Sequence, residues 1–142
     1  MEQKLLINWE VPDIQEETGE YFENQFTYDW LKNKGIVFAN EQELINTFKK
    51  NGNLENVTQE QLKKSENLTY NQEEFESELT EGDYAESFRR METSLVNEGE
   101  ITLPAPIILH INDLYYGFAG NRRSNLAFKY GLPLKAWIVR LV

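Results

Sequence analysis

The stretch GFAGNRRSNLAFKYG, Gly117–Gly131, holds the residues best suited to chemistry. Gly120 closes an apolar run, and Asn121, Arg122, Arg123 and Ser124 follow it at the start of a helical pattern. A helix start carries unpaired N–H groups and a partial positive charge, so cations there are disfavoured by roughly 0.3–1 kcal/mol each. A bound anion reverses that balance. The glycine lets it approach the backbone, and arginine's planar fork fits phosphate with two parallel bonds. Asn121 can cap the helix or donate its amide, and Ser124 can add a hydroxyl donor. Two other readings stand beside this one: the arginines are solvated surface, or they pair with carboxylates from the N-terminal helices.

Further candidates lie upstream. Arg89 and Arg90 are adjacent on a helical stretch, hence about 100° apart, so at most one can reach a phosphate at the turn. Arg90 is the candidate carried forward, against pairing with Glu86 or Glu92 at the surface. His110 alternates with Leu109 and Ile111 on a strand, which favours a structural role. The chain has no cysteine and one histidine, so thiol chemistry is excluded and no metal site is expected. Acid pairs such as Glu16/Glu17 and Glu73/Glu74 could hold Mg²⁺ beside a triphosphate, though solvated surface is their ordinary role.

The elements that must position these residues come next. A 40% hydrophobic and 13% aromatic composition over 142 residues supports one folded domain and argues against disorder. No apolar run nears the roughly 18 residues of a membrane span, and MEQKLLINWE lacks a signal-peptide core. A cytoplasmic protein with no membrane association is expected. The net charge of -10 is uneven. From Ile101 on, five basic residues (Arg122, Arg123, Lys129, Lys135, Arg140) face one acid, Asp113, giving +4 there and −14 before it. So acidic a surface disfavours direct nucleic-acid binding and suits a basic protein partner.

Leu5, Ile7 and Trp9 alternate, predicting a strand over Lys4–Val11, and a polar loop is expected through Asn24. A short helix over Tyr28–Asn33 and a short strand over Ile36–Phe38 follow. Asn40 with Glu43, and Thr58 with Gln61, are capping-box patterns. The first opens a helix ended by Asn51-Gly52, the second a helix near 59–66. Asn71 with Glu74 opens another, with Phe75 and Leu79 apolar. These acidic helices read as decoration on a core built elsewhere. The clearest helix is Asp83–Asn97, where Tyr84, Phe88, Met91 and Leu95 form one stripe. Ile107–Ile111 and Leu114–Ala119 form a hairpin about Asn112-Asp113, a helix spans 122–130 to Gly131, and Ala136–Leu141 is the last strand.

The segment PIILHINDLYYGFAGNRRSNLAFKYGLPLKAWIV resembles the core of the ParB/sulfiredoxin-like superfamily. That family has a P-I-x-V strand, a Y-Y-x-x-x-G strand, a G-x-R-R or G-C-H-R turn opening a helix, and an apolar return strand. The resemblance covers Asp83–Leu141 and is best marked over Tyr115–Arg123. It implies nucleotide binding, ATP or CTP, with Gly120 as the turn glycine and Arg122 and Arg123 on the phosphates. Asn121 stands where sulfiredoxin has its cysteine and ParB usually has glutamate, which rules out cysteine reduction and removes the ParB carboxylate.

The expected fold is α/β, α+β in detail: a small mixed sheet with packed helices in one domain, 1–142. Residues 1–82 form an acidic, mainly helical elaboration and 83–142 the ParB/sulfiredoxin-like nucleotide-binding core. The expected function is nucleotide-phosphate binding, with NTP hydrolysis or phosphoryl transfer as the chemistry if there is any. The alternatives are a non-enzymatic acidic interaction module for a basic partner surface and, more weakly, a ParB-like nuclease.

Overall fold

A computed structural model describes residues 4–22, 25–58, 60–61 and 82–141. In chain order the elements are β1 (Leu6–Glu10), α1 (Ile14–Phe22), α2 (Gln25–Asn33), α3 (Glu41–Lys50), β2 (Gly52–Val57), α4 (Gly82–Glu98), β3 (Glu100–Pro104), β4 (Ile107–Ile111), β5 (Leu114–Ala119), α5 (Asn121–Lys129) and β6 (Leu134–Arg140). The fold is α+β. A four-stranded mixed sheet runs β2-β6-β4-β5, and β1 pairs with β3 in a separate parallel ribbon. β6 is antiparallel to β2 and parallel to β4. Among the described residues no helix is long and apolar enough to cross a membrane.

Local chemistry explains the elements. Asn40 accepts from the Glu43 amide at 2.9 Å while the Glu43 carboxylate accepts from Ala39 N–H at 2.9 Å, so α3 opens with two donors satisfied. Thr58 and Gln61 exchange the same pair of bonds. The β4–β5 hairpin turns through Asn112 and Asp113, both at positive φ (50° and 66°), as a two-residue turn requires. In β5 the register slips, so that Ile107 faces Ala119 and Ile108 faces Gly117. Phe118 is the extra residue of this bulge, and the bend it makes precedes Gly120. α5 ends in a Schellman motif: Gly131 N–H donates to Phe128 C=O and Leu132 N–H to Ala127 C=O, with Gly131 at φ 63°.

The sheet is buried on both faces. One face, with Ile107, Leu109 and Val139, packs on α1, α2 and α3 through Ile14, Leu31, Leu44 and Phe48. The other, with Ile108 and Ile138, packs on α4, α5 and the β1–β3 ribbon through Phe88, Leu95, Leu126, Ile7 and Leu103. Fully buried side chains of this kind each contribute about 1.5–3 kcal/mol. Phe88 and Leu95 are fully buried and Met91 packs beside them, as the helical stripe requires. The Tyr84 side chain lies outside the described residues.

The structure departs from the sequence reading in four places. Residues 14–22 are helix α1 rather than loop. Asp13 caps it, accepting from the Glu16 amide at 3.1 Å. Ile36 and Phe38 are buried and Val37 exposed, yet among the described residues no strand pairs with them, so the alternation reflects burial alone. β2 and β3 were not expected: their sequences, GNLENV and EITLP, are polar or end in proline. The N-terminal half is not peripheral. β2 is a strand of the sheet, and Phe48 is wholly buried between Phe38 and Phe118 rings. The helices expected near 59–66 and after Asn71 lie outside the described residues, apart from the Thr58–Gln61 contact.

Candidate functional site

The candidate site is the turn from β5 into α5. Gly120 is the N-cap, at φ 90° and ψ 27° in the left-handed region, and among the described residues no side chain caps the helix. Asn121, expected as the cap, is instead the first helical residue. The cap or donor role of its side chain lies outside the described residues. A Cβ on Gly120 would meet Arg123 Nη2 at 2.5 Å and Pro106 Cβ at 2.8 Å. The guanidinium of Arg123 therefore lies across a bare backbone, in space that only glycine leaves.

Arg123 points inward and Arg122 outward. Arg122 is exposed, while the Arg123 side chain keeps 14% of its exposure. Arg123 sits three and four residues before Leu126 and Ala127, both fully buried, so it borders the inner stripe of α5. Its Nη1 donates to Glu17 Oε1 at 2.6 Å, a part-buried bond from α5 to α1. Its Nε and Nη2 are buried and have no hydrogen-bond partner among the described residues. One arginine is thus neutralised by the protein's own carboxylate, and two of its donors remain unsatisfied. Buried donors left this way cost roughly 1–3 kcal/mol each.

The remaining expected site residues separate. Ser124 does not present its hydroxyl to the turn. It is fully buried and its Oγ donates back to Gly120 C=O at 3.4 Å. Ser124 and Ala127 are three apart on the inner face, and a small residue is what that close packing permits. The Gly120 carbonyl also accepts from the amides of Arg123 and Ser124, at 3.1 Å each. Arg90 does not reach the turn. Its Nη2 donates to Glu86 Oε1 at 2.5 Å on the exposed face of α4, four residues apart. Gly120, Asn121, Arg122 and Arg123 thus form one turn as consecutive residues, with the two arginine side chains differently exposed, and Arg90 and the Ser124 hydroxyl lie outside it.

In the sequence Glu17 stands out only as half of an acid pair for Mg²⁺. The structure gives it to Arg123, and as placed it does not fit a metal ligand. Glu73 and Glu74 lie outside the described residues. Among the described residues no group of three or more His, Asp or Glu side chains gathers as a metal site. Asp13-x-x-Glu16 has the spacing of the α3 cap and could have located α1, though not the reach of Glu17.

Other polar groups serve packing. Glu92 accepts from Lys129 Nζ at 2.5 Å and from Tyr130 Oη at 2.8 Å, tying α4 to the end of α5. Burial, and secondarily the hydrogen bond to Glu92, push the Tyr130 hydroxyl up to about 12. His110 stacks on Tyr115 with ring centres 4.6 Å apart. Arg140 holds Glu55 by two bonds, of 2.5 and 3.0 Å, and that contact keeps the Glu55 carboxyl below its ordinary range. An open groove of about 360 Å³ on α3, lined by Asn40, Gln42, Glu43, Asn46, Thr47 and Lys50, includes none of the expected site residues. Comparison with protein-family models, with curated proteins and with solved structures finds no significant match to the chain.

Proposed function

We propose that this protein binds the phosphate groups of a nucleoside triphosphate at the start of α5, on Gly120, Asn121, Arg122 and Arg123. One observation carries the reading. Arg123 is held at a helix start whose N-cap is a glycine, and among the described residues its buried Nε and Nη2 have no acceptors. The guanidinium has more donors than the fold supplies acceptors for. A phosphate brings several acceptors and a charge that the helix start favours. No acidic residue lies in the first turn to take that place. The amides of Asn121 and Arg122 precede the first intrahelical bond, the position from which a helix offers donors to an anion.

The element order supports the same reading. Apart from the added strand β3, helix α4, the β4–β5 hairpin, the glycine turn, helix α5 and return strand β6 keep the order of the ParB/sulfiredoxin-like core that the sequence resembles. In any phosphoryl transfer or hydrolysis at this turn, the arginines would stabilise charge on the transferring group. Mg²⁺ would ride on the phosphates themselves, since the carboxylate brought to the turn is committed to Arg123.

The test is a thermal-shift series with ATP, CTP, GTP and ADP, with and without Mg²⁺, at low salt. A ligand at 100 times its Kd stabilises by about 2.7 kcal/mol, which for a domain of this size raises Tm by roughly 5–10 °C. Arg122→Ala removes an exposed side chain and should leave the unliganded Tm within about 2 °C while reducing the nucleotide shift. Equal shifts in the two proteins, or none with any nucleotide, would remove the assignment.

A further inference from the structure

β5 ends the four-stranded sheet, and among the described residues its only strand neighbour is β4. We infer that this edge is a pairing surface for a second copy of the chain, and that two β5 strands meet there antiparallel, about a two-fold axis at Tyr116.

The hairpin register fixes which groups the edge offers. Ile111 and Leu114 flank a two-residue turn, so they exchange both backbone bonds, and Leu109 with Tyr116 is the next pair to do so. Tyr115 and Gly117, opposite His110 and Ile108, therefore turn their N–H and C=O groups outward. Sheet edges are ordinarily guarded by charge, proline or a bulge. β2, at the other end of the sheet, carries Glu55, and β3 ends at Pro104. From Leu114 to Gly117, β5 has neither charge nor proline, and its bulge comes only at Phe118. Leu114 is 47% exposed and Tyr115 and Gly117 are part-exposed, so this stretch reaches solvent.

The strand is complementary to itself. An axis at Tyr116 sets Tyr115 of each copy opposite Gly117 of the other and matches every outward donor with an outward acceptor. Moving the axis to Tyr115 or to Gly117 leaves outward groups unmatched. Tyr115 and Gly117 share one face of the sheet, and an aromatic ring across from an edge glycine covers the backbone that glycine leaves bare. The charges also fit. Asp113, exposed, precedes the strand, and Arg122, exposed, follows it. Antiparallel pairing sets Asp113 opposite Ala119 of the second copy, three residues before its Arg122, so each end of the strand pair holds one acid and one base. Two copies of charge -10 repel at long range, and physiological salt screens that repulsion beyond about 8 Å.

Sedimentation equilibrium of the full chain at about 0.15 M salt, over a concentration series reaching about 1 mM, tests the pairing. The average mass should climb from the 16.7 kDa of one chain toward twice that. Gly117→Lys puts an ammonium opposite Tyr115 of the second copy. The φ of Gly117 lies outside the left-handed region, so its backbone accepts a side chain. Dimerisation should weaken on the order of tenfold or more, with circular dichroism unchanged. If that variant does not fold, Leu114→Lys, at the exposed start of the strand, should weaken dimerisation in the same way. Introduced cysteines check the register, because the chain has none of its own. A mixture of Tyr115→Cys and Gly117→Cys proteins should form disulfide-linked dimers several-fold faster than either protein alone. A wild type that stays monomeric throughout, a dimer that the folded lysine variant leaves intact, or cross-linking no faster in the mixture overturns the pairing.

Discussion

Gly120→Ala is the sharpest test of how the turn is built. The alanine must adopt φ 90° and ψ 27°, in a region that costs an L-residue about 1–2 kcal/mol. Its Cβ must also fit 2.5 Å from Arg123 Nη2, 2.8 Å from Pro106 Cβ and 2.9 Å from Pro106 Cα. The arginine end can move, but only by disturbing its bond to Glu17. Pro106 cannot move cheaply, since its carbonyl accepts from Trp137 N–H at 2.8 Å between β4 and β6. Overpacking of this kind costs typically 1–3 kcal/mol. The lost flexibility of the unfolded chain returns about 0.4–1 kcal/mol. The sum is a destabilisation of about 1–4.6 kcal/mol, or roughly 3–17 °C in Tm.

Gly35 is the internal control. Its φ is 82°, and nothing lies within 4 Å of where its Cβ would be. Gly35→Ala therefore meets the backbone cost without the steric one, and should lose about 1 kcal/mol or less. Urea unfolding of both variants, at unchanged m, measures the difference directly. A Gly120→Ala loss no larger than that of Gly35→Ala would show that Arg123 and Pro106 do not crowd the turn, and the preset guanidinium would go with it.

Two other results are expected. Phe48→Ala should destabilise by about 3–5 kcal/mol in urea unfolding, because Phe48 is fully buried against two aromatic rings in the half of the chain that the sequence presents as peripheral. In alkali, the Tyr130 hydroxyl stays protonated in the folded chain to about 12, whereas in the unfolded chain it titrates near its ordinary 10. Its contribution is complete below pH 10 and lost as pH rises toward 12, because the unfolded state then binds fewer protons. Tyr130→Phe should flatten the stability profile in that window and remove one high tyrosinate step from the 295 nm titration.

The C-terminal elements were legible because each carried two agreeing signals. The β4–β5 hairpin had apolar strands and an Asn-Asp turn, and α5 had a glycine at each end. The α4 stripe of Phe88, Met91 and Leu95 is a single-face pattern that only a helix can bury. The N-terminal half was harder because its elements carry few apolar residues each. Among its described side chains α1 contributes Ile14 and Thr18 to the interior, and β2 buries only Gly52 and Val57. Such segments are fixed by what they dock on, and a local pattern does not report it. The same holds at the turn. Spacing placed two arginines at the start of α5, but only the packing shows that Arg123 turns inward. Its partner is 106 residues away, and no local window relates Glu17 to Arg123.

β6 lies between β2 and β4, so the strand formed by residues 134–140 is an interior one although it comes late in the chain. Before it is available, β2 has no neighbour, α3 lacks the Trp137 indole that binds Phe48 C=O at 3.0 Å, and the two packed faces have no common middle. Assembly must therefore wait for long-range closure, which favours slow, all-or-none folding over stepwise growth from the N-terminus. A nascent chain stalled before Leu134 should be protease-sensitive throughout, including over residues that are wholly protected once Val139 is seated.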